Sequence, residues 1–186
     1  MKKPILIALV LVAAGAAVAS QSPPLSMTPA YARAEVQASV TPVATCEGDD
    51  ATYTLLHVEG QGTITSTDAR LAGTMIVDAM ILDNPNTGMG VSTDNFKVLD
   101  PVTGELKMKG TAWAIDKHPL AIRSLALADL ADGSKFVTLA TVRLPAPGTT
   151  DPIVIEYGGP GSGDSVDRAL IVSGDCARML KHLGFR

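Results

Sequence analysis

The sequence predicts an all-β protein: an antiparallel closed or nearly closed barrel of about eight strands with a short C-terminal helix, the alternative being a β-sandwich. Three observations carry this. Two turns, Leu82-Asp83-Asn84-Pro85-Asn86-Thr87-Gly88 and Leu99-Asp100-Pro101-Val102-Thr103-Gly104, each contain Pro-x-Thr-Gly. Pro presets the first corner of such a turn, and Gly accepts the left-handed backbone that closes a hairpin loop or its bulge. The run leaving the second turn places Leu106, Met108, Gly110, Ala112 and Ala114 on one face and Lys107, Lys109, Thr111 and Trp113 on the other. That is the period of a strand; a helix would need apolar residues three and four apart.

At the start of the chain, Lys2 and Lys3 precede an apolar run from Ile5 to Val18 that meets small residues. This is the order of a secretory signal, and the run is shorter than the roughly 18 to 20 residues of a spanning helix. Cleavage is expected after Ala19, with Ala32 as the alternative, so residues 1–19 are read as a signal peptide and no stable membrane insertion follows its removal. The protein is accordingly expected to be secreted, periplasmic or on the cell surface. Residues 20–45 are rich in Ala, Ser, Thr and Pro without a sustained period, and are read as a disordered or extended linker. Residues 46–186 then form one barrel domain, large enough to bury a core of its own. Loss of Lys2 and Lys3 takes the formal charge from −4 to −6, which argues against nucleic acid and anionic lipid surfaces as partners.

The elements follow in order. Thr52 to Glu59 alternates, and Gly60 and Gly62 within the strand pattern predict a bulge or sharp bend. Ser66 to Arg70 makes a turn in which Asp68 and Arg70 are expected to pair. Ala72 to Leu82 is apolar on both faces, with Asp78 as the exception, so its second face must be covered by the curled sheet, a terminal segment or another subunit. Gly90 to Leu99 lies between the two hairpin turns. Leu120 to Leu130 suits either a helix, with Ile122, Leu125, Ala126 and Leu130 on one side, or a strand. The Asp132-Gly133-Ser134 cue before the alternating run Lys135 to Leu144 favours the strand. Ile153 to Tyr157 is a short strand, Gly158 to Asp167 a Gly-rich loop, Ala169 to Ser173 a last strand, and Ala177 to Phe185 the short helix.

The chain has two cysteines, Cys46 and Cys176, and in an oxidising compartment they are expected to form a disulfide joining the chain ends. His57, His118 and His182 are scattered, and no His-Glu-x-x-His or Cys-x-x-Cys occurs, so neither a metal nor another cofactor is expected. Asp83, Asn84 and Asn86 are explained by turn capping and lack the spacing of a calcium loop. The glycines from Gly158 to Gly163 open no helix in a βαβ unit, and Gly163-Asp164-Ser165 lacks the nucleophile elbow, so that segment is read as a loop. His57 and Asp78 are the candidates for an acid or base inside the barrel.

Gly60-x-Gly62-x-Ile64-x-Ser66-x-Asp68-x-Arg70-Leu71-x-Gly73, Thr87-Gly88-x-Gly90, Asp100-Pro101-x-Thr103-Gly104 and Ser173-Gly174-Asp175-Cys176 together resemble a group of exported bacterial β-barrel proteins, distantly of the allene oxide cyclase and dirigent type within the calycin-like shape. The resemblance covers most of the chain after Cys46 and rests on turn and bend residues. It implies a small antiparallel barrel and leaves room for a homo-oligomer. The active-site residues of the plant enzymes have no counterpart, so none is carried over. The expected function is that of an exported non-catalytic barrel, binding a small apolar ligand or acting as a self-assembling surface module. The alternative is a cofactor-independent isomerase or cyclase using Asp78 or His57 in the barrel mouth.

Overall fold

A computed structural model describes residues 30–87, 90–118, 121–145 and 149–158. Eight strands occur among them: β1 (Ala32–Glu47), β2 (Thr52–Ser66), β3 (Gly73–Asp83), β4 (Gly90–Leu99), β5 (Leu106–His118), β6 (Ala121–Leu130), β7 (Lys135–Arg143) and β8 (Ile153–Tyr157). Each pairs antiparallel with the next, and β8 returns to β1, so the sheet is a closed barrel and the expected fold class holds. The signal segment, the strand at 169–173, the helix at 177–185 and most of the Gly-rich loop lie outside the described residues.

The two Pro-x-Thr-Gly turns act as their residues dictate. Asn84 Oδ1 accepts the amides of Asn86 and Thr87 at 3.0 and 3.3 Å, and Asp100 Oδ1 those of Val102 and Thr103, both at 2.9 Å. Gly104 and Gly133 take φ of 74° and 83°, where a side chain is strained. The ambiguous segment 121–130 is a strand, paired through the Asp132-Gly133 turn with β7.

Two expectations are corrected. Residues 32–45, read as part of a disordered or extended linker, form most of β1, and Cys46 lies within that strand rather than before the first one. The barrel therefore begins before residue 46. Ala32, Ala34 and Val36 do alternate with Arg33, Glu35 and Gln37, but small side chains give a weak period. The bulge offered as one reading of Gly60 and Gly62 does not occur, since β2 pairs through both without a register shift; the shift falls instead in β1, between Pro42 and Ala44. Gly62 has a different cause. A Cβ there would lie 1.8 Å from the Glu35 carbonyl oxygen, so only glycine admits β1 so close.

Alternation sends one side chain in two into the barrel. Val36, Ile64, Met75, Val98, Met108 and Ile155 fill it, and Tyr157 packs against Phe96 and Phe136 with ring centroids 6.3 and 5.8 Å apart. The outward parity of β1–β4 carries a second cluster, in which Cys46, Tyr53, Leu55, Leu82 and Val91 are buried. It covers the Leu82 end of the second face of the doubly apolar β3, while Ile76 and Met80 on that face are half-buried and Asp78 is exposed. The closing seam is short: β1 and β8 share five register pairs, Ala32 to Val36 against Tyr157 to Ile153. Glu156 joins it from outside, paired with Arg33 at 3.3 Å and Arg143 at 3.2 Å. Beyond Val36, β1 has β2 as its neighbour and no other among the described strands.

Candidate functional site

One register line of inward positions runs through Ala38, Gly60, Val77, Phe96, Gly110 and Ala128 across β1 to β6. Four of the six are glycine or alanine, and the Phe96 ring closes over Gly110, where a Cβ would lie 2.5 Å from it. An open cleft of about 1280 Å³ takes in this line and residues on both sides of it, from seven of the eight strands. Its surroundings include charges of both signs, among them Asp78, Lys97 and Lys109.

A second, much smaller space lies beside it. Val77 and Phe96 line both, and the smaller void, about 20 Å³, is further bounded by Met75, Asp94, Ser124 and Tyr157. Asp94 owes its place to β4, where parity puts it with Phe96 and Val98, facing Ala112 across the ladder. It is deeply enclosed by protein yet keeps accessible surface, because it looks onto this space. Burial pushes its carboxyl up to about 6, opposed by a hydrogen bond from Ser92. Burial and then the nearby Asp94 charge raise the Tyr157 hydroxyl as well, so the phenol stays protonated at neutral pH. That hydroxyl donates to Met75 Sδ at 3.9 Å, a weak acceptor. No buried side-chain nitrogen or oxygen among the described residues is without a partner.

The expected acid and base come together, but elsewhere. His57 Nε2 lies 2.9 Å from Asp78 Oδ1, with side chains 31% and 63% exposed, on the outward parity of β2 and β3. They form a partly exposed pair, and of the two it is Asp78 that borders the cleft; the exception in an apolar strand has an outward position. Asp68 and Arg70 do meet, at 2.6 Å, and Arg70 also reaches Asp132 at 3.0 Å, bridging two turns at one end of the barrel. Hydrogen bonds from Arg70 hold Asp68 at about 2, and those from Ser134 and then Arg70 do the same for Asp132. The described residues contain no cluster of side chains fit to hold a metal. No free thiol occurs among them, and Cys176 lies outside them.

Sequence reasoning missed Asp94. The signal was present: once Phe96 and Val98 are assigned to the core, Asp94 shares their face. It was masked because Ser92-Thr93-Asp94-Asn95 is polar throughout.

Comparison with protein-family models, curated proteins and solved structures finds no match to this chain. Of the resemblance drawn from the turn residues, the eight-stranded antiparallel barrel is the part that the structure bears out.

Proposed function

We propose that the protein is exported, loses residues 1–19, and acts as a non-catalytic barrel that holds one small, largely apolar molecule. The observation that carries this is the open cleft of about 1280 Å³ bounded by residues of seven strands, well beyond what packing defects leave in a filled barrel. The calycin-like kinship belongs to the same proposal, as does a bond between Cys46 and Cys176 that ties the exported chain's ends. In support, Cys46 is buried in an apolar cluster and is not a free thiol. The isomerase reading draws less support, because His57 does not border the cleft and Asp78, which does, is 63% exposed and not buried.

A second reading, self-assembly, is favoured by one feature. On the outward face of β6 and β7, Leu125 stands opposite Leu139 and Leu127 opposite Val137, all four exposed. A contiguous apolar patch of that kind marks contact surfaces.

Native mass spectrometry of the secreted protein tests these statements together. The binding reading expects a chain carrying an additional small mass that leaves on denaturation, and a chain starting after Ala19 that is lighter by two hydrogens than its reduced form. An empty monomer that takes up no apolar dye would overturn both readings.

A further inference from the structure

The void between Asp94, Ser124 and Tyr157 is placed and equipped unlike the rest of the barrel interior. It is walled by apolar side chains, it adjoins the cleft through Val77 and Phe96, and its polar groups come from three separate strands, β4, β6 and β8. At about 20 Å³ it has room for one group the size of a water molecule. The hydrogen-bonding capacity around it is lopsided. A carboxylate has acceptor sites to spare after Ser92 is counted. Tyr157 is a donor spent on a thioether sulfur at 3.9 Å. A group that gives one proton to Asp94 and takes one from Tyr157 satisfies both, and a hydroxyl does so whereas an ether or an ammonium does only half.

We propose that this void is the polar end of the ligand site, and that the ligand is an aliphatic alcohol whose hydroxyl sits between Asp94 and Tyr157 while its chain lies along the cleft. This rests on the binding function proposed above and narrows it to a ligand class. It also names what is refused: a carboxylate head would meet the Asp94 charge with no cation beside it, since the other titratable group bounding the void is Tyr157. Above pH 6 Asp94 is an acceptor and favours the alcohol. Well below pH 6 it carries a proton of its own, becomes a donor, and an ether serves it nearly as well.

The test is displacement of an apolar naphthylamine dye from the full secreted protein by dodecanol, dodecyl methyl ether and dodecanoate. At pH 7.5 dodecanol is expected to compete about tenfold better than the ether, the scale of one hydrogen bond to a charged group, and dodecanoate to compete worst. At pH 4.5 the alcohol's advantage over the ether should shrink to about twofold or less, a change read in the unaltered protein. Asp94→Asn and Tyr157→Phe should each reduce the advantage of alcohol over ether at pH 7.5, both competitors being measured against that variant's own dye affinity. If dye binds but alcohol and ether compete equally at pH 7.5, or dodecanoate matches the alcohol, the alcohol site is wrong and the binding function stands. Should the dye itself fail to bind, the binding function falls and the alcohol site with it.

Discussion

Asp78 and Asp94 sit one register step apart on neighbouring strands, Asp78 opposite Asn95 and Ala79 opposite Asp94, yet they inhabit different media. Asp78 is 63% exposed, its Oδ1 2.9 Å from His57 Nε2 at the surface. Asp94 is enclosed by Met75, Phe96 and Tyr157, and its carboxyl is held near 6. Neither residue type nor distance along the chain separates them; the two-residue period of the strand does. A carboxylate becomes chemically interesting here because of which side of the sheet it falls on.

The contrast between inside and outside can be broken most visibly with apolar side chains. Phe96→Ala, removing a ring that packs on Tyr157, is expected to cost about 3 to 5 kcal/mol in urea unfolding. Leu127→Ala on the outward face should cost about 0.5 kcal/mol or less in the monomer. Equal costs would show that the assignment of faces is wrong.

Next in size is the pH dependence of Asp94. Its folded carboxyl titrates near 6 against 3.8 for the ordinary group, so between these values the folded state binds more protons than the unfolded one. Stability from this residue is therefore fully present below about pH 4 and lost as pH rises through 6, by an amount on the order of 2 to 3 kcal/mol. Asp94→Asn should remove that loss, raising the urea midpoint at pH 7.5 relative to the parent and much less so at pH 4. A variant that is less stable than the parent at pH 7.5 would count against a carboxylate strained by burial.

At the seam, Glu156→Ala removes the partner of both Arg33 and Arg143. With these groups largely at the surface, the expected loss is about 1 kcal/mol, concentrated in faster amide exchange along β1 and β8. The smallest effect belongs to Asp78→Asn, a few tenths of a kcal/mol, seen as a melting temperature within about 1 °C of the parent. A large loss there would place the His57–Asp78 pair among the structural supports of the barrel.

Much of the fold was legible because its turns are chemically explicit. Pro85, Asn84, Asp100, Gly104 and Gly133 each have one backbone job, and the strands they delimit, β4 and β8 among them, match the residues expected. β1 escaped because Ala32, Ala34 and Pro42 look like linker composition when their partner strands are unknown. The glycines of β2 were misread for a related reason, since a single chain does not reveal that another backbone passes 1.8 Å from where a Cβ would sit. The site was harder still. Its cleft comes from residues of seven strands and its void from six, Asp94 being the one residue of the polar run Ser92 to Asn95 that reaches it. Only the Asp68–Arg70 pair, built within one turn, could be read directly from neighbouring letters.

The long first strand outlasts its closing partner. From Gln37 to Glu47 it offers backbone groups on a side that neither β8 nor any other described strand reaches, and such a strip is an invitation to sheet growth between molecules. Pro42, lacking an amide hydrogen, and the extra residue at Val43 interrupt the strip at mid-length. Sequence features that look like disorder here act as a guard against fibrils, and Pro42→Val should make the protein cloud on storage while leaving its fold intact.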